Sequence, residues 1–367
     1  MSILSAESIS SGVSGVSGVS GVSGVSGVSG VSGVAYGGYG SPLVSAALIT
    51  NRDGIVGPWH DPDKIPTPLE VAEKENLNLW GSTERASIFH FELLSNLRFK
   101  SSKVNESVSI SHLDVAPIIE MKRPTGDVFR EQLSYLDQYA EQRPDRTSEI
   151  LSQLGVPTEF LGSIVFLHPE RTRSTLELLF AALRFAYFVV MRVKHELACR
   201  RPHEYSSQVQ PIIPAPPHGS WPSGHATEAF ISALVLSKLL EAGGRGSYDT
   251  RWGEQLFAQA NRVAVNRTVA GVHFPVDSVA GVVLGLTLGD YFVKRCGGAD
   301  QYQAWKLDGS RYPGGRDFYW RDFFDTKTGS QTPVQPYALS GEQPSLAPGG
   351  HSEILRWLWD KAVDEWR

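Results

Sequence analysis

Apolar residues recur at helical spacing along much of the chain. Phe129, Leu133 and Leu136 repeat every three or four positions, which is the spacing of one face of an α-helix. The same pattern or a longer apolar run predicts further helices over residues 147–154, 172–199, 223–241, 248–265, 275–295 and 352–366. The predicted fold class is therefore mainly α, a helical bundle.

Outside these segments the pattern changes, and the changes suggest four regions. Residues 11–34 are eight copies of Ser-Gly-Val, a composition typical of a flexible tail. Residues 104–121 are rich in Val, Ile and Ser and predict a strand or an extended arm. We expect a disordered repeat tail, an N-terminal extension packing on the core, a helical core domain, and a C-terminal extension with a terminal helix. These regions span residues 1–40, 41–125, 126–299 and 300–367.

Composition and charge exclude some classes of function. The chain has 367 residues, of which 41% are hydrophobic and 20% charged, as in an ordinary globular protein. Its net charge of −5 argues against a nucleic-acid partner, because phosphate backbones select a basic surface. Two cysteines, Cys199 and Cys296, are expected to be reduced and buried.

The sequence also leads us to expect a protein without an integral membrane span. The opening residues MSILSAESIS lack the basic and apolar regions of a signal peptide. No stretch reaches the roughly 18 uninterrupted apolar residues of a spanning helix. The best candidates, residues 178–193 and 276–293, are interrupted or bracketed by charged residues and resemble buried core helices. We therefore expect a cytoplasmic location.

Three short segments at predicted helix boundaries carry side chains suited to binding an anion. The first follows a long helix, the second precedes a helix, and the third enters the next helix. Their residues of interest are Lys194 and Arg201; Ser223, Gly224 and His225; and Arg267, His273 and Asp277.

The chemistry of these segments is complementary. A tetrahedral oxyanion needs fixed cations and N–H donors, which arginine, lysine and a helix N-terminus provide. A neutral His273 imidazole can attack or ligate the central atom if an acceptor holds its other nitrogen, and Asp277 is one helical turn away. His225 is suited to general acid and base catalysis.

Each residue also has an ordinary structural explanation. Lys194 could extend from a helix end, Ser223 could be a plain N-cap, and His273 with Asp277 could be a structural pair. An isolated Arg267 is most often part of a surface ion pair. The occurrence of all three segments in order, at helix boundaries, favours one shared site.

The pattern Lys-x6-Arg-Pro, Pro-Ser-Gly-His and Arg-x5-His-x3-Asp resembles a known superfamily over about Leu176 to Arg295. This superfamily joins vanadium-dependent haloperoxidases, class A bacterial acid phosphatases and type 2 phosphatidic acid phosphatases. The resemblance implies a helical bundle of the haloperoxidase and acid phosphatase type, with residues 126–299 as its catalytic domain. One departure is Asn266, where the family usually has serine.

The resemblance also assigns a role to each site residue. Lys194, Arg201, Ser223, Gly224 and Arg267 would bind the oxygens of vanadate or phosphate. His273 would coordinate vanadium or attack phosphorus, and Asp277 would orient it. His225 would be the acid–base residue, and Lys194 would polarise a bound peroxide.

The first functional prediction is a vanadium-dependent haloperoxidase. With vanadate as cofactor, it would oxidise halide, with bromide or iodide favoured, using hydrogen peroxide. The absence of an export signal favours this interpretation over an exported acid phosphatase. His218 lies seven residues before His225, where bromoperoxidases of the family have a second histidine, so it is a candidate for the halide or substrate pocket. An ordinary loop histidine is the alternative for His218.

Two other functions stay open. A phosphatase would hydrolyse phosphomonoesters through a phosphohistidine at His273 without any cofactor. The short interval of 42 residues between His225 and Arg267 favours this alternative. A non-catalytic phosphate- or vanadate-binding module is the third, although a mere binder has no need of both histidines. Homodimerisation is expected from the family and from the apolar helices.

Overall fold

The computed structural model describes residues 42–155, 158–245, 251–297, 300–332, 334–341, 343–346 and 350–367. The Ser-Gly-Val repeat lies outside these residues. The described residues divide into two compact units, one that contains residues 42–81 and another that contains those from residue 82 onward. In the first unit, helix α1 spans Pro42–Ile55 and a short 3₁₀ helix spans Lys74–Leu79. The four predicted regions remain a prediction.

A largely buried helix forms the centre of the larger unit. Helix α8 (Gly224–Ala242) packs against α6 (Arg173–Leu197), α9 (Arg251–Val269), α10 (Pro275–Arg295) and α11 (Glu353–Asp364). Of the 19 residues of α8, 15 are buried, because small and apolar side chains occupy its whole circumference. The motif residues lie at the ends of these central helices.

Shorter helices surround this core. Several are amphipathic: α3, for example, buries Val128, Phe129, Gln132 and Leu136 at helical spacing. Their bounds are Ser82–Leu94 for α2, Gly126–Ala140 for α3, Arg143–Ser152 for α4, Thr158–Gly162 for α5 and Pro202–Tyr205 for α7. The prediction of a mainly α fold is confirmed.

A six-stranded sheet lies beside the helices. Its order is β1 (Leu97–Ser102), β2 (Ser107–His112), β3 (Ala116–Lys122), β4 (Trp305–Asp308), β8 (Ala338–Ser340) and β7 (Val334–Gln335). Neighbouring strands are antiparallel except β3 and β4, which are parallel. Strands β5 (Phe324–Asp325) and β6 (Ser330–Gln331) form a separate pair. The extended structure expected within residues 104–121 is present, whereas the later strands were not predicted.

The start of α6 is closed by a carboxylate from after α11. Both carboxylate oxygens of Glu365 accept backbone N–H bonds, from Ser174 at 2.6 Å and from Thr175 at 2.8 Å. The Trp366 indole donates to the Thr175 hydroxyl at 2.8 Å. A helix N-terminus has unpaired N–H groups and a partial positive charge. The Glu365 carboxylate accepts hydrogen bonds from two of these N–H groups, and its negative charge interacts favourably with the positive end of the helix.

Helix α10 corrects one expectation from the sequence. It is 21 residues long and apolar enough to cross a membrane, the one such helix within the described residues. The prediction of no integral membrane span is wrong in this respect. The length and mean hydropathy of α10 are those of a helix that could cross a membrane, despite the charged residues that flank its apolar part. Within the protein, 89% of its most apolar window is buried.

Candidate active site

The last turn of α6 brings Lys194 into the interior. The helix ends when Ala198 takes the left-handed conformation, with φ 47°. The Lys194 side chain is buried, and its Nζ donates to the backbone carbonyls of Gly219 and Ser220 at 2.7 Å each. Burial lowers the pKa of Lys194 well below its usual value, and the positive charge of Arg201 lowers it further.

Arg201 joins the first motif to the third. It precedes α7, and its Nη1 donates to the Val272 carbonyl at 2.8 Å and lies 3.1 Å from Nε2 of His273. On the other side, its Nε donates to the His218 carbonyl at 3.0 Å, and its Nη2 lies 3.2 Å from Nδ1 of His218. Burial lowers the pKa of Arg201 to about 10, so the group remains charged at neutral pH.

The His273 imidazole is held at its other nitrogen. Nδ1 lies 2.8 Å from Oδ2 of Asp277, which also accepts from the backbone N–H of Phe274 at 3.0 Å and from the Ser220 hydroxyl. Because a carboxylate only accepts, we assign the His273 proton to Nδ1, which leaves a lone pair on Nε2. Burial lowers the pKa of His273 well below 6.5, and Arg201 adds to the effect.

The second motif begins α8 against the start of α10. Ser223 is the N-cap: its Oγ accepts from Ala226 N at 3.3 Å, and its own N–H donates to the Asp277 carbonyl at 2.9 Å. Gly224 is the first residue of α8. The two helices approach closely at Gly281, where an added Cβ would lie 2.5 Å from the Ala226 Cβ and 2.9 Å from the Ser223 carbonyl oxygen.

His225 and Arg267 are fully buried and incompletely paired. Nη2 of Arg267 donates to the Ile150 carbonyl at 3.3 Å and to Oε1 of Gln153 at 3.1 Å. Its Nε and Nη1, and Nε2 of His225, have no hydrogen-bond partner within the described residues. Burial lowers the pKa of Arg267 to about 9 and that of His225 well below 6.5, with Arg267 lowering the latter further.

Basic side chains outnumber acidic ones at the site. Lys194, Arg201 and Arg267 are three buried basic groups, while the described residues around them supply two buried carboxyl groups, those of Asp277 and Glu228. A buried donor without an acceptor costs about 1–3 kcal/mol, and a buried unpaired charge costs more. An oxyanion would accept hydrogen bonds from the unpartnered donors of Arg267.

The structure brings the predicted residues together in two connected groups. Lys194 reaches Arg201, His273 and Asp277 through the segment 218–220. Arg267 and His225 meet at Gln153, whose backbone forms a hydrogen bond with the His225 ring. His225 is enclosed by the protein, with 1% of its surface exposed.

His218 is partly buried and lies at the edge of this arrangement. Burial lowers its pKa to about 3, with further lowering by Lys194 and Arg201, so the ring is neutral at pH 7. A surface cavity of about 400 Å³ is lined by His203 and residues 211–215, which precede His218 in the sequence. None of the predicted site residues lines this cavity.

Two contributors were missed by sequence reasoning. The Ser220 hydroxyl donates to Asp277 and lies 3.4 Å from Nδ1 of His273. Gln153 contacts Arg267 from the end of α4. Ser220 stands three residues before Ser223, so its proximity to the second motif was a usable signal. Gln153 had no such signal, because its distance along the chain from the motifs is large.

Comparison with known proteins identifies the central region. Residues 175–296 match the PAP2 superfamily. Among solved structures, the chain is similar to the first transmembrane PAP2 type phosphatidylglycerolphosphate phosphatase from Bacillus subtilis, at 20% identity and a TM-score of 0.36. That likeness covers 46% of this chain and 86% of the Bacillus chain. No curated protein matches the chain significantly.

Two expectations are corrected by these findings. The Bacillus protein is a transmembrane enzyme, and α10 of this chain passes the test for a membrane-crossing helix. The expected absence of an integral membrane span is contradicted by the length and hydropathy of α10, and the expected cytoplasmic location is withdrawn with it. An uninterrupted apolar run is a stricter requirement than length and mean hydropathy, and α10 meets only the latter two.

Proposed function

We propose, on the premise that residues 175–296 are a PAP2 superfamily region, that this chain is a phosphatase hydrolysing phosphomonoesters through a phosphohistidine. The observation that carries the proposal is the buried guanidinium of Arg267, with Nε and Nη1 unpartnered within the described residues, beside an equally unpartnered Nε2 of His225. Such a cation requires an anionic acceptor, and a phosphoryl group supplies one.

Binding would use the groups that already surround this point. Arg267, Arg201 and Lys194 would neutralise the phosphoryl oxygens. The N-terminus of α8, at Ser223 and Gly224, would add backbone N–H donors and the positive end of the helix dipole. Nη1 of Arg201, now 3.1 Å from Nε2 of His273, would turn to a phosphoryl oxygen when substrate arrives.

The reaction would proceed in two displacements. Nε2 of His273 attacks phosphorus while the bond from phosphorus to the ester oxygen breaks, and that oxygen takes a proton from His225. Water then attacks phosphorus and gives a proton to His225, while the bond between phosphorus and Nε2 of His273 breaks. This step releases phosphate and restores neutral His273. Asp277 holds the Nδ1 proton throughout and stabilises the positive charge on the ring.

The protonation of His225 sets the pH range of this cycle. Burial and Arg267 keep the pKa of His225 well below 6.5 before substrate binds. A phosphoryl dianion beside the ring neutralises Arg267 and favours the imidazolium, so it raises this pKa. We expect activity with an acidic optimum, falling as the pH rises above the pKa of His225 in the substrate complex.

A haloperoxidase is the second candidate, and the contact between His218 and Arg201 favours it. The same donors, from Lys194, Arg201, Arg267, the start of α8 and His273, fit vanadate as well as phosphate. Vanadate held there would supply the site that activates hydrogen peroxide for halide oxidation. The family match and the short interval between His225 and Arg267 support the phosphatase instead.

One purified sample separates these functions. Hydrolysis of p-nitrophenyl phosphate is measured without vanadate, and oxidation of bromide and iodide by peroxide is measured after incubation with orthovanadate. We expect phosphate release that orthovanadate inhibits, and its loss in His273→Ala and His225→Ala. His195→Ala is the matched control, because His195 is exposed on the same helix as Lys194 and should leave activity unchanged.

The contrary results are equally specific. Vanadate-dependent halide oxidation that His273→Ala abolishes, with no phosphate release, would establish the haloperoxidase. Orthovanadate binding retained in His225→Ala, with neither activity detected in the parent protein, would indicate a non-catalytic binding module.

A further inference from the structure

One face of α4 is bonded to the third motif along its length, although α4 lies outside the PAP2 region. The bonding residues follow helical spacing along this helix and its C-cap. Nε of Arg143 donates to the Val269 carbonyl at 3.0 Å, and Nη1 of Arg146 donates to Oδ1 of Asn266 at 3.1 Å. Ile150 and Gln153, further along the same face, contact Arg267.

Gln153 occupies the end of this face and is fully buried. It is the C-cap of α4, and its Oε1 accepts from Nδ2 of Asn266 at 2.9 Å and from Nη2 of Arg267 at 3.1 Å. Because both partners are donors, the orientation of the carboxamide is defined: the oxygen faces them and Nε2 faces away.

The free end of this carboxamide lies close to the unpartnered groups. The oxygen and nitrogen of one carboxamide are about 2 Å apart, so Nε2 of Gln153 lies within about 5 Å of the Arg267 guanidinium. Its Nε2 has no hydrogen-bond partner in the described part of the chain. With Nε and Nη1 of Arg267 and Nε2 of His225, four unpartnered buried nitrogens belong to three residues that are joined through Gln153.

A single acceptor would explain this cluster. Three of these nitrogens, Nε2 of Gln153 with Nε and Nη1 of Arg267, are donors. Leaving each buried donor unsatisfied costs about 1–3 kcal/mol, so three of them at one place would be a large penalty without a ligand. A tetrahedral oxyanion offers several acceptor oxygens within a few ångströms. Nε2 of Gln153 is a neutral donor that adds a hydrogen bond without adding positive charge.

We propose that Gln153 is a phosphoryl-binding residue of this site, donating from Nε2 to an oxygen of the bound group while its Oε1 holds Arg267 in place. This inference rests on the proposed function, because it assumes that the bound anion is a phosphoryl group or its analogue.

Asn266 supports the same inference and explains a departure from the family pattern. Its Nδ2 donates to Gln153 at 2.9 Å and to Oε2 of Glu149 at 3.0 Å, while its Oδ1 accepts from Arg146. The serine usual at this position has one hydroxyl on a shorter side chain and cannot make three such contacts. Asn266 and Gln153 therefore form a hydrogen-bonded pair, in which Asn266 is the positioning residue.

The test compares three proteins with two inorganic probes. The dissociation constants of orthophosphate and orthovanadate are measured calorimetrically between pH 5 and pH 8 for the parent protein, Gln153→Met and Gln153→Glu. A hydrogen bond to a charged group corresponds to roughly a 10- to 100-fold change in affinity, so we expect Gln153→Met to bind both anions at least 10-fold more weakly.

The Gln153→Glu variant adds a measurement, the pH dependence of anion affinity, that would not change if Gln153 had only a structural role. Glutamate keeps the acceptor for Arg267 and Asn266 but repels the anion when ionised, so we expect its deficit to exceed that of Gln153→Met at pH 8. Protonation at pH 5 restores an O–H donor, and the deficit relative to the parent protein should shrink.

A matched control is Gln259→Glu. Nε2 of Gln259 is also buried without a partner among the described residues, but it lies eight residues before Arg267 on α9. This spacing corresponds to about 12 Å along the helix. We expect its affinity for orthophosphate to stay within about twofold of the parent value.

A structure of the parent protein with orthovanadate provides a measurement independent of how the variants fold. We expect Nε2 of Gln153 within about 3.2 Å of a vanadate oxygen. Parent-like affinity of Gln153→Met, or an Nε2 beyond hydrogen-bond range in that complex, would overturn the proposal. If the parent protein binds orthophosphate through Gln153 but hydrolyses no phosphomonoester, the proposed function fails and the inference stands. If the parent protein binds neither anion, both fail.

Discussion

Substituting Gly281 by alanine should disturb the site from a distance, through the contact of α10 with α8. The new Cβ would lie 2.5 Å from the Ala226 Cβ, 2.9 Å from the Ser223 carbonyl oxygen and 3.2 Å from the Thr227 amide nitrogen. Two of these three atoms are backbone atoms of a buried helix end, so no side-chain rotation relieves the overlap. The two helices must move apart by about 1 Å to restore ordinary contact distances.

The expected magnitude follows from two opposing terms. Overpacking a well-packed core costs about 1–3 kcal/mol, while replacing glycine by alanine within a helix stabilises by about 0.5–1 kcal/mol. We expect the free energy of unfolding of Gly281→Ala to fall by about 1–2 kcal/mol. Because Ser223, Gly224 and His225 begin the displaced helix, we also expect kcat/KM for p-nitrophenyl phosphate to fall by about 10- to 100-fold.

The matched control is the same substitution at Gly253 on α9. There the added Cβ would meet Ser237 Oγ alone, at an ordinary 3.6 Å. Gly253→Ala should therefore leave activity unchanged and raise the free energy of unfolding by up to about 1 kcal/mol. Urea unfolding and steady-state kinetics of both variants provide the comparison. If Gly281→Ala were as stable and as active as Gly253→Ala, close packing at Gly281 could not be what positions α8.

Three further predictions concern ligand, mechanism and pH. Orthophosphate at 100 times its dissociation constant should stabilise the protein by about 2.7 kcal/mol in thermal unfolding, and Arg267→Ala should abolish this gain; an equal gain in that variant would contradict the role of Arg267. Asp277→Asn should lower kcat by roughly 10³-fold, because His273 loses the group that orients it. Asp290→Asn, on the same helix, should leave kcat unchanged. Comparable kcat values for the two variants would exclude an orienting role for Asp277. Burial lowers the pKa of His112 to about 4, so this group binds fewer protons in the folded than in the unfolded protein. The free energy of unfolding, measured by urea titration, should therefore be highest above pH 6.5 and fall towards pH 4. A flat profile would refute the assignment of a neutral buried ring.

The sequence predicted the central helices well because their apolar residues are continuous or strongly periodic. The predicted segments 172–199 and 223–241 correspond to α6 and α8 within one residue at most ends, and 275–295 coincides with α10. These three helices also carry or adjoin the three motifs. Local signals sufficed there, because helix caps and apolar periodicity both depend on residues a few positions apart.

Features that depend on pairing between distant segments were not predictable in the same way. Strand β4 has four residues and joins the sheet by pairing with β3, so neither its length nor its local pattern marks it as a strand. Gln153 presents the same difficulty within the site. Its place in the α4 sequence predicts a polar helix end, and only the docking of α4 against α9 brings its carboxamide to Asn266 and Arg267.

The bond between Glu365 and the start of α6 has a practical consequence for fragment design. The match to the PAP2 superfamily begins at Thr175, whose backbone N–H and hydroxyl both donate to Glu365. Trp366 packs over Gly243 at the far end of α8. A fragment cut at residues 175 and 296 would expose these surfaces and lose α4 as well. The shortest polypeptide that we expect to fold autonomously therefore runs from the helix at residue 82 through Trp366, and deletion of residues 365–367 alone should already lower expression and protease resistance.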